Sequence, residues 1–128
     1  MRALLAQFLR YGAVGITNTL LSAACYAGAL ALGASAVAAA TVAFAVGSAN
    51  GFLWNRRWTF ARSAAASPVR YVLVQAAGLA ATDLLIAALD PQVGHAIAWV
   101  VTTGIVTLLT FAANRRFSFP PTVGSQPA

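Results

Sequence analysis

The sequence predicts an all-α membrane protein of four transmembrane helices, built as two tandem helical hairpins in parallel repeat. Three observations predict it: four long apolar stretches, arginines confined to one set of their ends, and a string that recurs after the second and fourth stretches. Of 128 residues, 60% belong to the hydrophobic set and 8% are charged. A soluble domain carries roughly 25% charged residues, so lipid rather than water is the solvent this composition fits.

The first stretch runs from Gly12 to Leu32, the second from Ala36 to Trp54, the third from Tyr71 to Leu89 and the fourth from Ala96 to Ala113. At about 1.5 Å rise per residue each reaches approximately 27 to 31 Å, enough for the hydrocarbon core. None contains Lys or Arg, and Asp83 is the one charged residue inside them. Shorter helical turns are expected at the interface around Arg2 to Tyr11 and Trp58 to Arg62, and a disordered tail over 120–128, which is rich in Pro, Gly and Ser. Arg2 and Arg10 ahead of an apolar run that ends at Ala34-Ser35-Ala36 also fit a signal peptide. That run is longer than the about 7 to 15 residues such a segment uses, which favours a span. A soluble bundle would need polar outer faces that these stretches lack.

All the basic residues are arginines, and they fix an orientation. Arg2 and Arg10 precede the first span, Arg56, Arg57, Arg62 and Arg70 lie between the second and third, and Arg115 and Arg116 follow the fourth. The opposite loops, Gly33 to Ser35 and Asp90 to His95, have no arginine. The positive-inside rule therefore puts both termini and the central loop in the cytoplasm of a multi-pass inner-membrane protein.

Phe52-Leu53-Trp54-Asn55-Arg56-Arg57-Trp58-Thr59-Phe60 matches Phe111-Ala112-Ala113-Asn114-Arg115-Arg116-Phe117-Ser118-Phe119, and Arg10-Tyr11 recurs as Arg70-Tyr71. This is a two-helix unit used twice. Each unit crosses the bilayer an even number of times, so the copies point the same way, about an axis along the membrane normal. Aromatics and arginines at a helix end also suit a plain interfacial anchor.

On these strings, together with Phe8-Leu9-Arg10-Tyr11-Gly12, Val14-Gly15 and Asn18, the chain resembles the GtrA-like family of small four-helix membrane proteins. It departs from the family pattern at Gly51 and Thr110, where an Asn often precedes the Phe that opens the string. The resemblance implies a GtrA-like domain over 1–119 and translocation of polyprenyl-phosphate-linked sugars across the cytoplasmic membrane for cell-surface polysaccharide synthesis. It equally allows a non-transporting anchor that recruits a polyprenol-phosphate glycosyltransferase. The expected partners are membrane lipid and the lipid-linked sugar, with a glycosyltransferase and a second copy of the chain as further ones.

Candidate binding residues follow from chemistry. Arg56, Arg57, Arg115 and Arg116, with Arg10 and Arg70, can grip phosphate oxygens through their guanidinium forks. Asn18, Asn50, Gln75 and Thr110 each lie one or two turns in from the arginine end, roughly 6 to 9 Å deep, and could form one polar layer. Asn18, Asn50 and Gln75, with Asn55, Asn114 and Asp83, are the candidates for the sugar headgroup. The same amides could instead bond helices together. Gly47-Ser48-Ala49-Asn50-Gly51 has the GxxxG spacing of close helix approach, within the bundle or between chains. Asp83, just past the midplane, could couple a proton, contact a sugar or bond within the bundle.

Other classes fit less well. A small proton-coupled drug exporter of dual topology needs nearly balanced loops, which the arginine distribution denies. No nucleophile and base pair, paired carboxylates, metal-ligand spacing or glycine-rich phosphate loop is present, so no catalytic residue, metal or cofactor is expected. Cys25 and His95 are single. Nucleic acid is not expected as a partner, because the arginines sit at membrane boundaries.

Overall fold

The structure is a computed structural model that describes residues 1–121, without the side chains of Ala36, Val37 and His95. From Thr122 onward the expected tail lies outside the described residues. Four helices carry the fold: α1 (Arg2–Ala31), α2 (Ala36–Trp54), α3 (Pro68–Val93) and α4 (His95–Ala113). A π-helical turn follows α2 at Asn55–Thr59, and another follows α4 at Asn114–Ser118. Three segments, Arg2–Ala31, Pro68–Val93 and Ala96–Ser118, are long and apolar enough to cross a membrane; α2 has 19 residues. The chain divides into two compact units, Met1–Ala61 and Arg62–Ala128.

In the first unit α1 packs on α2. The expected interfacial turn around Arg2 to Tyr11 is continuous with the span, so α1 is one helix of 30 residues. It ends where Gly33, at φ 89°, reverses the chain while Gly33 and Ala34 return their N–H groups to Leu30 and Ala29. A side chain is disfavoured at that φ, which is why glycine serves there. Ser35 then caps α2, its hydroxyl accepting from the Ala38 N–H at 3.2 Å. The two helices approach closely at Gly47, where a Cβ would fall on Ser22 Oγ. Ser22 Oγ donates across the same contact to the Ala43 carbonyl at 3.1 Å. Gly47 of the GxxxG spacing thus serves a contact inside the unit.

In the second unit α3 packs on α4. Ser67 caps α3 by accepting from the Arg70 N–H at 3.3 Å, with Pro68 in the first turn, where its missing N–H is no loss. α3 runs to Val93, past Pro91, and a single residue, Gly94 at φ 81°, turns the chain into α4. The close approach here is at Gly78, whose Cβ would meet Thr110 Cγ2 at 2.7 Å. The segment before α3 lies along the end of the chain: Ala64 N–H donates to the Pro120 carbonyl at 3.2 Å, and Ser63 Oγ to the same oxygen at 2.8 Å.

Four threonine hydroxyls in the helices bond their own backbone. Thr17, Thr19, Thr82 and Thr110 donate to the carbonyls four residues earlier, on Ala13, Gly15, Gly78 and Val106. This removes most of the cost of a hydroxyl in an apolar medium without a tertiary partner.

Candidate functional site

The repeated string is a structural device in each unit. Positions four apart on each turn share one face, and that face is turned inward. Asn55 and Thr59 are buried in the first unit, Asn114 and Ser118 in the second. Ser118 Oγ donates to Asn114 Oδ1 at 2.7 Å. Each turn closes on its starting asparagine, Phe60 N–H donating to the Asn55 carbonyl at 2.7 Å and Phe119 N–H to the Asn114 carbonyl at 2.8 Å.

The first helix of each unit clasps this turn. Tyr11 packs edge-on against Phe60 at 6.2 Å between ring centroids, and Tyr71 against Phe119 at 5.9 Å. Arg10 Nη1 donates to the Trp58 carbonyl at 3.5 Å, and Arg70 Nη1 to the Phe117 carbonyl at 3.3 Å. One residue further along, Gln7 Nε2 donates to the Thr59 carbonyl at 3.1 Å, and the Ser67 N–H to the Ser118 carbonyl at 2.9 Å. A side-chain amide in one unit and a backbone amide in the other do the same work. They satisfy carbonyls that the end of a helix leaves without an intrahelical donor.

The six arginines proposed as phosphate ligands therefore divide by role. Arg10 and Arg70 each hold a carbonyl, and Arg10 also lies 5.7 Å from the Trp58 ring, within cation–π range. Arg56, Arg57, Arg115 and Arg116 are exposed and make no hydrogen bond or ion pair among the described residues. Their forks can take an anionic oxygen without breaking anything.

Residues 10–119 match the family described as GtrA/DPMS, transmembrane domain. The chain belongs to that family. The match opens on Arg10, in the first clasp, and closes on Phe119, the last residue of the second. No curated protein and no solved structure matches the chain. As a GtrA/DPMS domain with helices of spanning length, it is a multi-pass membrane protein.

Within this GtrA/DPMS domain the polar residues expected to form one layer are engaged separately. Asn50 Nδ2 donates to Asn18 Oδ1 at 2.7 Å, joining α1 to α2. Gln75 Nε2 donates to the Tyr71 hydroxyl at 3.1 Å, one turn back on α3. The Thr110 hydroxyl stays on its own helix. Asn55 and Asn114 are 1% and 0% exposed, so their side chains are buried within the two units. Asp83 is exposed on α3, and its neighbour Thr82 bonds the Gly78 carbonyl. Sequence reasoning missed Gln7 and Ser67, whose donors complete the clasps; their place three residues before each Arg-Tyr pair is the signal that could have found them.

The amide pair gives a direct test of its weight. Asn18→Ala is expected to destabilise the first unit by about 0.6 kcal/mol and at most about 1.7 kcal/mol, the average and the maximum measured for interhelical hydrogen bonds in bilayers. In a double-mutant cycle with Asn50→Ala, followed by unfolding in mixed micelles, the pair should show coupling. Strict additivity would mean that the bond contributes nothing.

Proposed function

We propose that the chain translocates polyprenyl-phosphate-linked sugars across the cytoplasmic membrane for cell-surface polysaccharide synthesis, without catalytic chemistry of its own. In this reading α2 is the fourth span, the hairpins share one orientation, and both termini and the loop before α3 are cytoplasmic. Arg56, Arg57, Arg115 and Arg116 receive the phosphate, and Arg10 and Arg70 position the turns that carry them. Asn18, Asn50, Gln75 and Asp83 are the groups within reach of a passing sugar. Membership of the GtrA/DPMS family supports a role in glycosylation pathways. The observation that carries the reading is the pair of unengaged arginines at the tip of each clasp, where one end of each helical unit offers charge-assisted donors to a lipid phosphate.

The test is reconstitution of the purified protein into liposomes with a fluorescent polyprenyl-phosphate-linked sugar. The headgroup should become accessible to a membrane-impermeant quencher at least about tenfold faster than in empty liposomes. The variant R56Q/R57Q/R115Q/R116Q should return to the empty-liposome rate. No acceleration by correctly inserted wild-type protein would remove translocation by this chain alone.

A second reading, a non-transporting anchor that presents the lipid to a glycosyltransferase, is favoured by the Asn18–Asn50 bond. That bond occupies amide groups a sugar would otherwise use. In that case the liposome assay stays flat, while co-reconstitution with a polyprenol-phosphate glycosyltransferase raises that enzyme's turnover.

A further inference from the structure

A helix C-terminus is an unfavourable place for an anion, because its last carbonyls carry the negative end of the helix dipole. Both arginine pairs sit at such ends. The clasps change that. In the first unit the Trp58 and Thr59 carbonyls accept from Arg10 and Gln7, and in the second the Phe117 and Ser118 carbonyls accept from Arg70 and the Ser67 N–H. What each end then presents outward is two exposed guanidinium groups, and beside them an exposed aromatic, Trp58 or Phe117. Every part of this kit lies inside one unit, and each unit has all of it.

We infer that the chain carries two sites for a lipid phosphate headgroup, one complete in each unit: Arg56 with Arg57, and Arg115 with Arg116. The inference rests on the reading above that these arginines meet a phosphate, and it adds that one chain holds two such lipids at once. Two guanidinium groups on neighbouring residues can grip one phosphate group together, each through a pair of N–H donors to its oxygens. The sites are built alike but are not identical. Trp54 and Trp58 flank the first pair, and Ala113 and Phe117 the second. The remaining tryptophan, Trp99, lies in α4 roughly 24 Å along the helix from Arg115, by the rise per residue.

Native mass spectrometry of the full chain in detergent tests the stoichiometry, with undecaprenyl phosphate as probe and phosphatidylglycerol as the second arm. Wild type should saturate at two bound lipids. R56Q/R57Q and R115Q/R116Q should each retain one, and the quadruple variant none. R56K/R57K, which keeps charge, should still reach two at saturation. Whichever lipid fills the sites at the lower concentration identifies the source of the phosphate. Intrinsic fluorescence assigns the sites: the tryptophan response should survive R115Q/R116Q and disappear in R56Q/R57Q. A single lipid on wild type that either double variant abolishes would overturn the two-site inference and leave arginine binding of phosphate standing. Wild type that binds neither probe would overturn both.

Discussion

Replacing Phe119 by alanine is expected to lower the stability of the second unit by about 3 to 5 kcal/mol, the range for emptying a buried aromatic position. The ring is 2% exposed and packs on Tyr71, itself 1% exposed, at an interplanar angle of 67°. Losing it opens a cavity under the π turn and removes the edge-on contact with Tyr71. Phe117→Ala is the matched control. That side chain is 54% exposed, and the contribution of position 117 to the clasp is its carbonyl, which alanine keeps. Its effect should stay within about 0.5 kcal/mol. Denaturant unfolding in mixed micelles, followed by circular dichroism, measures both. Equal losses would mean that the Tyr71–Phe119 contact does not hold the unit together.

The second large effect is expected at Gly78. A Cβ there would stand 2.7 Å from Thr110 Cγ2, well inside the about 3.5 to 4.0 Å of a carbon–carbon contact. Thr110 cannot swing aside freely, because its hydroxyl is bonded to the Val106 carbonyl at 2.8 Å. Gly78→Leu must therefore move α3 off α4, with a cost of about 1 to 3 kcal/mol by analogy with overpacked cores. Gly104→Leu adds the same side chain where nothing lies within 4 Å of the Cβ, and should be nearly silent. The readout is the thermal midpoint in detergent. Indistinguishable midpoints for the two leucine variants would show that α3 and α4 tolerate separation at this point.

How far the sequence could be read depended on the range of the interactions involved. Helix positions follow from local composition, so the apolar stretch from Ala36 to Trp54 coincides with α2, and Ala96 to Ala113 lies within α4. The recurrence of Asn-Arg-Arg-aromatic-hydroxyl-Phe was plain as a string. Its geometry was not, because the π register is held by donors on Gln7 and Arg10 that lie 52 and 48 residues away. For the same reason Asn55 and Asn114 read as candidates for the sugar headgroup, although both are buried in the structure. Asn18 and Asn50 were correctly set at similar depth on different helices. That Asn50 donates to Asn18, while Gln75 turns back to Tyr71, depends on side-chain direction, which spacing alone does not encode.

The self-contained clasp also bears on the order in which the protein is made. The hydrogen bonds and the ring contact described for the first clasp join residues between Gln7 and Phe60, so this clasp can form once that stretch has left the ribosome. Those of the second clasp join residues between Ser67 and Phe119. Biogenesis can proceed hairpin by hairpin, each completed hairpin no longer exposing bare carbonyls at the helix end just synthesised.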